Sequence, residues 1–350
     1  MASYRSILKD MLFPSSRPPP TSRWDPNISM PLLLDRIVVL SGPTAGIGYE
    51  TLRQLILSSA HVYLFGRSLS RLERTRDTIL AETTCALAEL KPGTVRYGAN
   101  PGKMTLIQCD LSSLASIKKA VEEFKQKEDR VDLVFGNAGV MEGGKTEEGY
   151  ELMWGTNVLG HHALIRLLLP LLKTSAQERN STVTGEKRVV LTASDTHKWV
   201  TKPQHLTLSP NATNAKLAHI HLYGRSKLGN VYTAQRLAKL STANGWGITV
   251  CSVHPGGIQS QLGSGGAVLT KVKNWFLWPA TLGAVTQLWG AVGAEGGEVQ
   301  GKYLVPWAKV GEQSELAKDE RLEGDVWRWC EEQCVRHGVF AEEDRYPLLL

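Results

Sequence analysis

The first long apolar run, Arg36-Ile-Val-Val-Leu-Ser41, has no polar residue between its ends. A strand with one face in water alternates apolar and polar positions. An unbroken, β-branched run instead predicts a strand covered on both faces, as in a parallel sheet. The run passes straight into Gly42-Pro43-Thr44-Ala45-Gly46-Ile47-Gly48 and a helical pattern to about Ser59. Similar short runs predict strands at His61 to Phe65, Met104 to Cys109, Val131 to Phe135, Arg188 to Ala193 and Ile248 to Val253. Helical patterns fill Ser68 to Leu90, Ser113 to Lys127, Glu147 to Lys173 and Tyr223 to Ala243. Strand and helix alternate, which predicts an α/β fold with a doubly wound parallel sheet and right-handed crossovers. Pro92 to Lys103, Ser175 to Glu186 and Lys198 to His221 read as insertions. Residues 1–33 are a proline-rich extension with one short helix near Tyr4 to Leu12. No linker divides the rest, so a single domain is expected over 34–310, followed by a helical extension over 311–350.

Composition narrows the partners. The 350 residues are 42% hydrophobic, enough for a sizeable core. The charge, 40 − 34 = +6, suits an anionic ligand such as a phosphorylated cofactor. Its basic residues are scattered, and without a dense Lys/Arg block no nucleic acid is expected. Five cysteines are an odd, sparse set that favours a reducing compartment, so a cytoplasmic location is expected. Cys330 and Cys334 stand one helical turn apart with no further Cys/His pair at metal spacing, so no metal is expected and both read as half-buried thiols. The sequons at Asn27, Asn180 and Asn211 carry no weight without a secretory route, and prolines interrupt any N-terminal apolar region. Trp275 to Ala294 is uncharged and long enough to cross a bilayer. Its Pro279, Thr281, Thr286, Gln287 and three glycines favour a buried helix entered at Pro279, with no transmembrane span.

Candidate chemistry centres on Tyr223-Gly224-Arg225-Ser226-Lys227. Residues at i and i+4 share a helical face. A phenol loses its proton near pH ~10, and a neighbouring ammonium favours the phenolate, so the pair is a candidate proton donor and acceptor. A solvated helix surface is the alternative. The glycine turn, spaced G-x-x-x-G-x-G, would aim backbone N–H groups and a helix N-terminus at a phosphate. A plain βα turn is its alternative, and Pro43 has no N–H to give. After the second strand, an acidic residue would hold an adenosine ribose and repel a 2′-phosphate. Arg67 stands there instead, and a guanidinium favours NADP(H) over NAD(H), unless it is simply solvated. Asp110-Leu111 can meet an adenine amino group, or Asp110 or Ser112 can cap a helix. Asn137-Ala138-Gly139 offers small residues beside a ribose, or a turn.

Taken in order, Ser41-Gly42 through Gly48, Asp110-Leu111, Asn137-Ala138-Gly139, Asn157, Ser194, Tyr223-x-x-x-Lys227 and Pro255-Gly256 resemble the short-chain dehydrogenase/reductase family over about residues 34–307. The chain is similar to its retinol-dehydrogenase and WW-domain-oxidoreductase-like group and to fungal biosynthetic reductases, which the Trp327-Arg-Trp-Cys330 helix also fits. The resemblance implies a Rossmann fold. It implies an NADP(H) site drawing on Ser41, Gly42, Thr44, Gly46, Ile47, Gly48, Arg67, Asp110, Leu111, Asn137, Ala138, Gly139, Tyr223, Lys227, Pro255, Gly256, Ile258 and, in place of a threonine, Ser260. It implies Tyr223 as acid/base, Lys227 as the group that lowers its pKa, Ser194 as hydrogen-bond partner of the substrate oxygen, and Asn157 as holder of a relay water.

The expected activity is NADP(H)-dependent interconversion of a carbonyl and an alcohol on a hydrophobic small molecule, such as a polyketide or terpenoid intermediate of secondary metabolism. Reductases of C=N or quinone substrates, and an NADP(H)-binding regulator without turnover, are the alternatives. Ser41 stands where threonine is usual. Ser194 precedes Tyr223 by 29 residues where the family has about a dozen, so the insertion must loop out and is expected to wall the substrate site. Trp275, Phe276, Trp278 and Trp289 fall in an expected lid over 258–296, or in an ordinary packing face. His161 and His162 are expected in the core or at a subunit contact, His197 beside the pocket, and His254 in a structural role. By analogy with the family, the helix Glu147 to Lys173 is expected to pair with its copy in a homodimer.

Overall fold

In a computed structural model of the chain, residues 24–173, 186–206, 219–258 and 277–346 are described here. Ile37–Ser41 forms β1, with every position buried. Its side chains alternate between two cores. Ile37 and Val39 pack on one face of the sheet, Val38 and Leu40 on the other. Both faces are dry, which is why the run carries no polar residue. The other strands are β2 (His61–Gly66), β3 (Lys103–Gln108), β4 (Leu133–Gly136), β5 (Lys187–Thr192), β6 (Ile248–Val253), β7 (Tyr303–Val305) and β8 (Lys309–Val310). Their order across the sheet is β3-β2-β1-β4-β5-β6-β7-β8. All pairings are parallel except β7 with β8. The chain therefore reverses its direction of travel between β1 and β4, and the crevice at their C-terminal ends is where open α/β sheets bind ligands.

One face carries α1 (Gly46–Leu57), α2 (Leu69–Ala88) and α6 (Ala280–Leu288), through Leu52, Leu55, Leu72, Ile79, Val285 and Leu288. The opposite face carries α3 (Leu114–Lys125), α4, α5 (His219–Ala243) and α7 (Glu320–Arg336). Helix α4 is continuous in three parts: Leu152–Trp154, a π-helical turn Gly155–Gly160, and His161–Lys173.

Several expectations change. The helix expected from Glu147 begins at Leu152. Ser113 Oγ donates to Glu147 (2.5 Å), Leu114 N donates to Glu148 (2.6 Å), and Glu151 caps the backbone of Met153 and Trp154. Glu148 and Glu151 satisfy free N–H groups at the starts of α3 and α4, and Glu147 holds the hydroxyl of the α3 cap Ser113, rather than extending a helix. Strands β7 and β8, of three and two residues, were not expected. Both Cys330 and Cys334 are fully buried rather than half-buried. Trp24, Met30 and Leu33 belong to the core, so the domain starts before residue 34. Pro279 caps α6 and a π turn Trp289–Gly293 ends it, as a buried helix. Among the described residues no helix is long and apolar enough to cross a membrane. The Tyr4 to Leu12 helix and most of the Ser175 to Glu186 insertion lie outside the described residues, as do 207–218 of the third insertion and 259–276 of the lid.

Candidate active site

The glycine turn sits at the crevice and is held from the β4 side. Asn137 N and Ala138 N donate to Ser41 Oγ (both 3.0 Å), while Asn137 Nδ2 donates to the carbonyls of Ser41 (3.0 Å) and Gly42 (3.1 Å). The hydroxyl usually supplied by threonine is thus used in full by Ser41. Gly42 has φ +67°, and a Cβ there would lie 2.9 Å from Ala138 Cα. A Cβ on Gly48 would collide with the Gly42 carbonyl. Gly46 opens α1, and no side chain caps that helix start, which leaves its N–H groups directed out of the turn. A cradle this tight, braced by Asn137-Ala138-Gly139, fits a pyrophosphate better than a plain turn does.

Thr44 faces α2 across a recess of about 250 Å³ lined also by Tyr49, Arg71, Arg74, Thr75 and Thr78. Arg67 is exposed just beyond β2. Arg71 and Arg74 did not enter the sequence reading. Their signal was present: they stand three residues apart in the first turns of α2, on one basic face just after Arg67. Neither Asp110 nor Ser112 caps α3: Ser113 does, accepting from Ser116 N, while Asp110 Oδ1 closes a local turn by accepting from Ser112 N (2.9 Å) and Oγ (2.7 Å). Behind it the Leu111 carbonyl leaves no room for a Cβ on Gly160, which brings α4 close to the turn.

Four predicted catalytic residues converge from three elements. Asn157 lies in the π turn of α4, fully buried. Its side chain is bonded to Val140 N and O (2.8 and 3.0 Å) and donates to Ser226 Oγ (2.9 Å), tying β4's exit to α5. Lys227, also on α5, is 2% exposed and donates to the Thr192 carbonyl at the end of β5 (2.8 Å). Asn230 reinforces the same carbonyl (3.0 Å). A Cβ on Gly139 would stand 3.3 Å from Lys227 Nζ and 3.5 Å from Asn157 Oδ1, so the absent side chain opens the floor of the site onto both. Lys227 Nζ lies 5.5 Å from the centroid of the Tyr223 ring. Ser194 follows β5 and caps the 3₁₀ turn Asp195–Trp199. That turn packs on α5 beside Tyr223, where a Cβ on Gly224 would stand only 2.5 Å from Thr196 O. Despite the long insertion, Ser194 and Tyr223 belong to one packed unit.

The electrostatics depart from expectation. Tyr223 is only partly covered as a residue, yet burial around its hydroxyl pushes the phenol well above its ordinary value rather than below it. Burial also pushes Lys227 down to about 8. Desolvation outweighs the attraction expected between the two.

Around these groups, His161 is a core residue with a definite task. Its Nδ1 meets Asn157 O (2.9 Å) and its Nε2 meets Ser41 Oγ (3.0 Å). Burial pushes it down to about 4, so it is neutral and joins the glycine turn to the Asn157 turn. His254 Nδ1 accepts from Gly256 N and Asp195 N (both 3.4 Å), the structural role expected. Pro255-Gly256 follows, with Gly256 at φ +96°. Ile258 and Ile47 meet across Gly283 of α6, where a Cβ would sit 2.7 Å from Ile47 and 3.0 Å from Ile258. Trp278 stacks edge-on to Trp307 (6.1 Å) and Trp289 is in the core. Ser260, Trp275 and Phe276 lie outside the described residues. A larger recess, about 520 Å³, opens at the other end of the strands beside Glu186 and Ile248 and holds none of these groups. Among the described residues no cluster of His, Cys, Asp and Glu is suited to a metal.

Residues 36–184 match the short chain dehydrogenase profile. A short-chain dehydrogenase/reductase of Armillaria gallica is 33% identical over 320 residues, 90% of this chain and 95% of its own. The chain belongs to the short-chain dehydrogenase/reductase family. The human polyprenol dehydrogenase, another relative, is 30% identical over 87% of this chain and 86% of its own length. The fold is shared with an uncharacterised protein of Mycobacterium paratuberculosis (TM-score 0.63, 23% identity, 88% of this chain and 96% of that one). It is also shared with an Escherichia coli short chain dehydrogenase complexed with NADPH (TM-score 0.55, 19% identity, 81% and 99% covered). This short-chain dehydrogenase/reductase is an oxidoreductase with a single Rossmann domain.

Proposed function

We propose that this short-chain dehydrogenase/reductase is an NADP(H)-dependent carbonyl reductase and alcohol dehydrogenase for a hydrophobic small molecule, with Tyr223 as its acid and base. The observation that carries the reading is that Asn157 and Lys227 meet at the floor left open by Gly139, with Tyr223 beside Lys227 on α5 and the Ser194 turn packed on the same helix at Gly224. The cofactor would be held by the glycine turn at Gly42 to Gly48, by Asn137-Ala138-Gly139, and at its 2′-phosphate by Arg67 with Arg71 and Arg74 across the Thr44 recess. When bound, NADP(H) supplies or accepts the hydride. Tyr223 gives its proton to the substrate oxygen as charge builds there, and Ser194 steadies that oxygen by a hydrogen bond. At neutral pH the Tyr223 phenol holds its proton, the form that reduction needs if it is to protonate the substrate oxygen. Lys227 in its charged form compensates the phenolate left behind, and Asn157 fixes the π turn against Ser226 beside it.

The test is NADPH and NADH oxidation against a panel of hydrophobic ketones that includes trans-1-decalone, with Tyr223→Phe as control. NADPH preference and loss of turnover in the variant are expected. A wide preference for NADH would defeat the role given to Arg67.

A further inference from the structure

Because Tyr223 follows Ser194 by 29 positions, the connecting chain cannot by its shortness fix the distance between the two groups. The turn packs directly on α5 at Gly224, and Lys227 and Asn230 tie the end of β5 to that helix. A further fastening on the turn itself is His197, three residues after Ser194 and fully buried. Its Nδ1 lies 2.7 Å from the Ser194 carbonyl, and its Nε2 lies 3.1 Å from the backbone N of Ser314. A carbonyl only accepts, so Nδ1 carries the proton. A backbone N–H only donates, so Nε2 is bare. The ring is therefore neutral in one fixed tautomer, and burial, which lowers it to about 4, keeps it so. Tyr303 packs edge-on to the imidazole at 4.8 Å and donates to Asp195 Oδ1 (2.8 Å), so the turn is held from the strand side as well.

Ser314 belongs to a segment beyond β8 that is itself fastened to α5. Gln235 Nε2 donates to Gln313 Oε1 (2.8 Å), and Tyr232 Oη donates to Leu316 O (2.5 Å). Tyr232 and Gln235 stand about three helical turns beyond Tyr223 on the same helix. The path Ser194–His197–Ser314–α5–Tyr223 thus closes a loop through the C-terminal extension. We infer that His197 is a positioning residue: with residues 313–316 it forms a strap that sets the Ser194 hydroxyl against Tyr223 in place of a short connecting loop. This rests on the catalytic reading of Ser194 and Tyr223 given above.

The experiment compares full-length wild type, His197→Phe, His197→Gln, Ser314→Pro and the His197→Phe/Ser314→Pro double variant. The readouts are NADPH-dependent reduction of trans-1-decalone and NADPH dissociation constants from quenching of protein fluorescence. Misplacement of a substrate-binding group by about 1 Å costs on the order of 100-fold in rate. His197→Phe and Ser314→Pro are each expected to lower kcat by roughly 10–100-fold while NADPH affinity stays within about twofold. His197→Gln can both donate and accept, and is expected to recover part of the loss. The double variant is expected to be no slower than the slower single one, since both changes cut the same strap.

Full turnover in His197→Phe or in Ser314→Pro, or losses that multiply in the double variant, would overturn the strap. If His197→Phe does not fold, His197→Gln and Ser314→Pro decide the matter. Tyr223→Phe, run alongside, separates the two readings. If it is inactive while the strap variants are unimpaired, only the strap falls; if it retains wild-type turnover, the catalytic reading falls with it.

Discussion

At Lys227 the needs of folding and chemistry conflict. The ammonium is buried, donating to Thr192 O, and its pKa falls from 10.5 to about 8. Between those two values the unfolded chain keeps a proton that the folded protein has released. Stability therefore rises with pH from about 8 to about 10.5, and the charged group is a liability at neutral pH. Lys227→Met, which fills the same space without charge, is expected to be more stable than wild type at pH 7 by on the order of 1–2 kcal/mol. The advantage should shrink by pH 10, and reductase activity should be lost. Urea denaturation at the two pH values checks it; a variant less stable at pH 7 would contradict the argument. Tyr223→Phe tests the neighbouring role. Its turnover is expected to fall roughly 10²–10⁴-fold, the worth of a positioned acid, with NADPH affinity retained. The pH profile follows from Lys227: reduction is expected to decline as pH rises through about 8, when the compensating charge is lost. These residues could be picked out in the sequence because their spacing is fixed by one helix. The direction of the Tyr223 shift could not, since it depends on how deeply the fold buries the hydroxyl.

Among the elements, legibility followed how local the forces are. Strand β1 announced itself because both of its faces are covered, and the glycine turn because it follows at once. The start of α4 was misplaced because Glu147 and Glu148 look like a helix N-terminus, yet they serve the N-terminus of a different helix, α3. Nothing within the sequence window says which helix start a carboxylate will meet. Strands β7 and β8 are too short to carry a period and exist only because β6 presents an edge. The glycine turn gives the sharpest test at this scale. Gly48→Ala places a methyl against the Gly42 carbonyl, so either the turn opens or α1 shifts. The expected result is a loss of about 1–3 kcal/mol in stability and at least roughly tenfold weaker NADPH binding, measured by denaturation and fluorescence titration. Unchanged affinity would mean that the turn's shape is not what holds the cofactor.

For the molecule as a whole, the C-terminal helix covers part of the surface on which a homodimer contact was expected. The sequence expectation placed a homodimer contact on α4, but α7 already occupies a face of that helix. Glu331 of α7 accepts from His162 (2.7 Å) and Arg166 (2.6 Å), and Trp329 packs on Trp154 and Tyr150. Glu323 likewise takes Lys239 of α5 at 2.7 Å. A stable pairing needs about 800 Å² from each partner, with an apolar centre. The exposed large hydrophobics among the described residues are Ile28, Leu32, Leu34, Leu69, Leu80, Val95, Tyr97 and Val310, none of them on α4, α5 or α7. The tryptophans of α7 are visible in the sequence, but not that Trp327 would be spent on His162 of the chain's own α4 and Trp329 on Trp154 and Tyr150. The protein is therefore expected to run in light scattering at a mass near 38.5 kDa, that of one chain. Twice that mass at micromolar concentration would overturn this expectation.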